Sequence, residues 1–393
     1  MKKIPTLLLA FIALSGFGQN RNIEFDHGAF AELLAKAKKE NKMIYIDCYT
    51  SWCGPCKWMA KNVFTNDTVA DFYNTNFVNA KIDMEKGEGI EIAQKYDIRA
   101  YPTMLYLSAD GVQLHRTCGS CPAANFISGG KDALLPETRL STCSANFKKG
   151  NNDAASAFHF FTLLENGCQS YGEEVDQYFS SVKKEDLRSR GNWNIIYKYI
   201  DDYNSPVFKD LESGREQYSK IYGKDSVEDK INRVYTTGLY SAIQNKDMKG
   251  YEELKVKLRA SGTRDTEMII LQSDVKLNER NGDWDKYAAL SCDYINKYSA
   301  EDAADLNTFA WSFYEHVNDQ AMLEKAAQWA KKATGLDNNY PYNDTYAALL
   351  FKLGKKAEAK TAAEKAISIA KKSGEDYKET ADLLTKIEAL KSR

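Results

Sequence analysis

Histidine and proline are scarce in this chain of 393 residues, and neither sign of charge dominates. Four histidines leave little material for a His-rich metal centre. The 53 lysines and arginines against 55 acidic residues give a net charge of −2. Nothing therefore marks a nucleic-acid or acidic-membrane surface. The N-terminal apolar run, residues 4–14, falls well short of the roughly 20 residues that span a bilayer. Of seven prolines only Pro206 and Pro341 follow Pro136. Proline breaks helix interiors, so that long stretch reads as helix. Hydrophobic residues at 43% and charged residues at 27% exclude a disordered chain. At roughly 150 residues per domain, the length allows two or three domains.

Cysteine is unevenly placed: six of the eight precede residue 144. Their compartment is suggested by the first twenty residues, MKKIPTLLLAFIALSGFGQN. Lys2 and Lys3 precede the apolar run, and Gly16 and Gly18 suit cleavage before Gln19. Residues 1–18 are thus expected to be a signal peptide, with no membrane anchor after its removal. The mature chain would be exported, in a periplasmic setting where disulfides persist.

Residues 22–135 alternate short apolar runs with helical stretches. Residues 30–39, 58–64 and 90–96 read as helices, and 43–49, 77–82, 103–107 and 112–117 as strands. The last two join through Ala109-Asp110-Gly111, a hairpin signal. Residues 119–135 supply a closing helix. Such alternation predicts an α/β layer fold with a small mixed sheet. After the first strong strand stands Trp52-Cys53-Gly54-Pro55-Cys56-Lys57. Cysteines three apart at a helix start can close a reducible disulfide, and the helix dipole favours the thiolate of the first. The sulfur of Cys53 is expected to be the exposed one. Taken alone, the motif is also compatible with a structural disulfide or half of a zinc site.

Together with Asp47 on the preceding strand and the segment Tyr96-Asp97-Ile98-Arg99-Ala100-Tyr101-Pro102-Thr103, the motif resembles thioredoxin. The likeness extends to exported thioredoxin-like domains, including the C-terminal domain of membrane thiol-disulfide interchange reductases, through Val63-Phe64 and Asp67-Thr68-Val69. The resemblance implies a thioredoxin fold, with Cys53 as attacking thiolate, Cys56 as resolving thiol and Asp47 as the buried proton relay. It also implies that Pro102 is a cis-proline facing the disulfide, that Tyr101 offers its backbone to a substrate strand and that Trp52 shields the sulfurs. By this likeness, the lysine that often pairs with the buried acid is replaced by Asn79. Cys48 is expected to lie on the opposite strand face as an inert core thiol.

A second pair, Cys118-Gly119-Ser120-Cys121, reads as a further disulfide, structural or redox-active. Four-cysteine zinc coordination with the first pair is an alternative reading of the spacing. No resident metal or cofactor is expected. Cys143 and Cys168 could pair with each other, while Cys292 shows no motif.

Residues 136–393 read as helices. Turn signals at Asn245-Lys246-Asp247, Asn281-Gly282-Asp283, Asn318-Asp319 and Gly354-Lys355-Lys356 recur at 36- or 37-residue spacing. That period predicts stacked helical hairpins resembling tetratricopeptide repeats. Trp193, Tyr197, Tyr199, Trp284, Tyr287, Trp311 and Trp329 would either line a peptide-binding concavity or fill the gaps between helices. The expected whole is an exported thiol-disulfide oxidoreductase that reduces protein disulfide clients. A membrane electron donor would recharge it, and the helical region would bind clients or partners. The other reading is a helical scaffold with a merely regulatory redox domain.

Overall fold

The computed structural model describes residues 21–150 and 152–389. The expected signal peptide lies outside them. The described chain forms two compact units, one ending at Tyr199 and the other beginning at Ile200.

The first unit opens with α1 (Phe30–Glu40), β1 (Met43–Tyr49), α2 (Gly54–Asn62), α3 (Asp67–Asn76) and β2 (Phe77–Asp83). It continues through α4 (Glu88–Lys95), β3 (Thr103–Leu107), β4 (Gln113–Cys118) and α5 (Ala123–Leu134). The sheet order is β2-β1-β3-β4, with β1 and β2 parallel and the other neighbours antiparallel. Side chains alternate across a strand, so β1 serves two cores. Ile44, Ile46 and Cys48 pack with Leu33, Ile92 and Leu105 on one face. Tyr45 packs with Met59, Tyr73, Met104 and Phe126 on the other. Cys48 is fully buried, as its strand position predicts, and burial pushes its thiol far up.

Helix α3 was not apparent in the sequence. Its Thr, Val, Phe and Tyr content favours strand, but the Asn66 side chain caps it by accepting the Thr68 and Val69 amides. The α/β fold ends close to the expected Leu135, whereas the compact unit continues through α6 (Leu140–Lys148), α7 (Ala154–Asn166), α8 (Gly172–Ser181) and α9 (Arg190–Tyr199). Helices α6 and α7 both pack against β4.

The second unit begins with α10 (Pro206–Ser213) and α11 (Arg215–Tyr222). Four helix pairs follow: α12 (Lys224–Asn245) with α13 (Met248–Ser261), and α14 (Thr266–Asn281) with α15 (Trp284–Tyr294); then α16 (Ala303–His316) with α17 (Gln320–Leu336), and α18 (Tyr340–Lys352) with α19 (Lys356–Ser373). α20 (Lys378–Ala389) closes the described chain. Each predicted turn joins two helices that pack on each other. The residues capping the second helix of each pair, Asp247, Asp283, Asp319 and Lys355, stand 36 residues apart. The first three caps act through their carboxylates, which accept the amides of Gly250, Lys286 and Met322. Small residues line the close helix contacts: Ala326, Ala327 and Ala330 in one core, and Ala359, Ala362 and Ala363 in another. Tyr287, Trp284 and Trp329 belong to that first core, while Trp193 and Tyr199 are buried in the first unit. Tyr287, Trp193 and Tyr199 fill helix contacts, whereas the partly buried Trp284 stacks on His316 and lines a surface pocket. Among the described residues no helix is long and apolar enough to cross a membrane.

Candidate functional site

Cys53 occupies the N-cap of α2 and is disulfide-bonded to Cys56, with the two Cα atoms 5.3 Å apart. The first-turn amides of a helix lack intrahelical acceptors, and here the Cys56 N–H points at the Cys53 sulfur at 3.1 Å. Pro55 fits this turn because the amide it lacks would have no helical partner. Both cysteines are 2% exposed in the disulfide state. Exposure therefore does not distinguish them, contrary to the sequence expectation. What separates them is position: only Cys53 sits at the positive end of the helix, where a thiolate is stabilised.

Asp47 lies beneath, on the β1 face that carries Tyr45. Cys56 and Met59, three residues apart, share one side of α2, and Met59 packs with Tyr45 and Met104. The carboxyl and Cys56 thus occupy the same layer between helix and sheet. Asp47 is fully buried. Its Oδ2 accepts a hydrogen bond from Lys81 Nζ at 2.7 Å, while Oδ1 has no partner. Burial raises the carboxyl above its ordinary range, and the Lys81 charge opposes that rise without cancelling it.

The pairing with Lys81 corrects the sequence reading, which assigned the matching place to Asn79. In the parallel β1–β2 register Asp47 stands opposite Lys81, and Asn79 stands opposite Tyr45. Asn79 bonds Asn74 instead. The Lys81 ammonium lies 4.7 Å from the Tyr49 ring centroid and 5.2 Å from that of Phe64. Counting the parallel register from the two strands was the signal that would have found it.

The Tyr101–Pro102 peptide is cis. The Trp52 ring meets Tyr101 edge-on at 6.1 Å, and its indole N–H donates to the Glu85 carboxylate at 3.0 Å. Trp52 is 65% exposed, so it forms the open rim of the site. Glu85 comes from the loop after β2 and had no signal of its own in the sequence.

The expected Cys118–Cys121 pair is not formed. Cys118 is bonded to Cys168, across 50 residues, and Cys121 and Cys143 are free thiols. The reason is topological: α7 packs on β4 and delivers Cys168 beside the strand end. The alternative zinc arrangement needs four thiolates, and Cys53, Cys56 and Cys118 all stand in disulfides. Cys292 is buried in a helical core, its sulfur 3.8 Å from that of Met322. Gly119, with φ at +88°, adopts a backbone that suits glycine, and its N–H donates to the Pro102 carbonyl at 2.8 Å.

Comparison with known proteins agrees with this geometry. The Thioredoxin family profile matches residues 22–129. The chain is 34% identical over 91 residues to Thioredoxin H-type of Oryza sativa subsp. indica, covering 23% of this chain and 69% of the rice protein. It is 40% identical over 68 residues to Thioredoxin-1 of Drosophila yakuba, covering 17% of this chain and 59% of the fly protein. A solution structure from Bacteroides thetaiotaomicron, described as a disulphide-isomerase candidate, is 42% identical; it covers 30% of this chain and 96% of its own, with a TM-score of 0.28. Through its N-terminal α/β fold the chain belongs to the thioredoxin family.

Proposed function

We propose that the chain is an exported thiol-disulfide oxidoreductase that reduces disulfides of client proteins, with the helical region as a client- or partner-binding module. The observation that carries this reading is the Cys53–Cys56 disulfide at a helix N-terminus, in the layer that also holds the buried Asp47 carboxyl. In the reduced chain the Cys53 thiolate attacks a client disulfide. One client sulfur leaves as thiolate and a mixed disulfide remains. Cys56, giving its proton to Asp47, attacks the Cys53 sulfur and frees the second client thiol. Two electrons pass to the client and the chain is left with its Cys53–Cys56 bond. A dithiol donor at the membrane then returns the two electrons by the reverse exchange. Tyr101 offers its backbone to the client segment, Pro102 faces the sulfurs as the cis-proline, and Trp52 covers one side of them.

Export rests on the charge and apolar pattern of residues 1–18. The tetratricopeptide-like reading of the helical region rests on the 36-residue recurrence of the helix caps. Cys56→Ser tests the mechanism, because it stalls exchange at the mixed disulfide. The variant should accumulate reductant-sensitive adducts with disulfide-bonded proteins, and Cys53→Ser/Cys56→Ser should accumulate none. Equal adduct formation by the two variants would overturn the assignment of Cys53.

A further inference from the structure

Three cysteines outside the Cys53–Cys56 pair meet at one place. Cys118 ends β4 and is bonded to Cys168, just after α7, with Cα atoms 5.8 Å apart. Cys121 is a half-buried free thiol. It lines the same cavity of about 390 Å³ as Cys118, together with Met104, Thr117 and Asp132. Two intervening residues suffice for a disulfide in this chain, since Cys53 and Cys56 form one at a Cα separation of 5.3 Å. Cys118 therefore has two candidate partners. Cys168 has φ at +51°, a left-handed backbone that cysteine adopts reluctantly. The partner now in place is the one held in the less favourable conformation.

We propose that these residues form a second thiol-disulfide exchange site, in which Cys121 displaces Cys168 from Cys118 and thereby opens the staple between β4 and the end of α7. The Cys121 thiolate attacks Cys118 Sγ. The Cys118–Cys121 bond forms, the Cys118–Cys168 bond breaks and Cys168 leaves as thiolate. The proton lost by Cys121 is matched by the one Cys168 gains. One disulfide and one thiol stand on each side, so the step needs no oxidant or reductant. Burial holds the Cys121 thiol above its ordinary range, which keeps the thiolate scarce and the exchange slow.

The loop that would rearrange is bound to Pro102 and to the helix that carries the first redox pair. Gly119 N–H donates to the Pro102 carbonyl, and Cys121 N–H reaches the Met59 sulfur on α2 at 3.3 Å. Exchange at the second site is thus positioned to adjust the walls of the first.

The test uses the full chain with Cys53→Ser/Cys56→Ser, which removes the first pair from the chemistry, and the wild-type chain in parallel. Each is held without oxygen at alkaline pH for hours and quenched in acid. Free thiols are labelled, disulfides are then reduced and given a second label, and peptides are read by mass spectrometry. The expected result is that Cys168 gains the first label as Cys121 loses it, in at least a tenth of the molecules, while Cys118 keeps the second. Adding Cys121→Ser should hold Cys168 in the second label, whereas Cys143→Ser should leave the exchange unchanged. The proposal fails if Cys121 keeps the first label throughout in both parent chains, or if Cys168 is released equally fast in the Cys121→Ser chain.

Discussion

Asp47 and His115 are both buried on the sheet face that carries Tyr45 and Tyr106, and their protonation acts on stability in opposite directions. His115 is 1% exposed, and its Nδ1 accepts the Leu140 N–H at 3.2 Å. Burial first, then the charges of His159 and Arg139, push its pKa down from 6.5 to about 4. The unfolded imidazole takes a proton as pH falls through 6.5, while the folded one resists until about 4. Stability is therefore lost across that window, by up to about 3 kcal/mol. For Asp47 the folded carboxyl keeps its proton to higher pH than the unfolded one at 3.8. Its contribution is fullest below 3.8 and declines as pH rises through the folded value. Asp47→Asn should thus raise stability at pH 7 by on the order of 1 kcal/mol, with little gain in acid, since Lys81 keeps some solvent and its ring contacts. His115→Gln should flatten the acid limb instead. Denaturant midpoints at neutral pH and near pH 4 check both, and an Asp47→Asn chain weaker at neutral pH would contradict the sign. The sequence made Asp47 legible through the resemblance to thioredoxin, because it is the carboxylate on the strand that precedes Trp-Cys-Gly-Pro-Cys. Lys81 and His115 were not legible in these roles. Strand register decides the first, and the covering of β4 by α6 decides the second.

At the scale of elements, the contact between α3 and α5 depends on an aromatic wall with no slack. Tyr73 stacks on Phe126 at 4.2 Å, shares a hydrogen bond with the Tyr106 hydroxyl at 2.7 Å and donates to the Phe126 carbonyl at 2.8 Å. Gly130 of α5 faces this wall. A Cβ there would lie 2.6 Å from Phe72 Cε1 and 3.0 Å from the Tyr73 hydroxyl. At the adjacent Gly129 the nearest atom, Thr117 Cγ2, is 3.4 Å away, an ordinary contact. Gly130→Ala should therefore cost about 1–3 kcal/mol from overpacking. Gly129→Ala should be neutral or stabilise by up to about 1 kcal/mol through helix propensity. Thermal unfolding of the two variants distinguishes a specific contact from a general intolerance of alanine in α5; equal losses would refute the packing argument. Most elements were readable because each carries its own local signal: the compact apolar run of residues 43–49 and the turn at Ala109-Asp110-Gly111. α3 was hidden because its side chains favour strand and a single cap at Asn66 decides otherwise. The Cys118 partner was hidden for a different reason. Spacing favoured Cys121, whereas the tertiary path of α7 brings in Cys168.

For the whole molecule, the question is what some 200 residues of helix add to a small redox fold. The fading of strand patterns placed the domain change near Leu135, but fading pattern marks the end of a sheet, not of a compact unit. Helices α6 and α7 cover β4, and Cys168 is bonded to Cys118, so removing everything after Leu135 would uncover the β4 edge strand and remove a disulfide together. The informative cut falls between Tyr199 and Ile200, where the compact units divide. A thioredoxin unit exchanges disulfides with small molecules unaided, so the second unit should matter only for large substrates. If it holds a client, the client's disulfide is presented to Cys53 at an effective concentration of about the millimolar range for a suitable tether. The expectation is therefore asymmetric. A chain ending at Tyr199 should reduce a small aromatic disulfide within twofold of the full-length rate. Its Cys56→Ser form should capture native protein clients at least tenfold less efficiently than the full-length trap, when both are scored by adduct yield under identical conditions. Equal yields and the same captured proteins would show that the second unit is not a selector. A parallel loss with the small disulfide would show instead that the cut damaged the redox fold itself, which circular dichroism of the shortened chain would register independently.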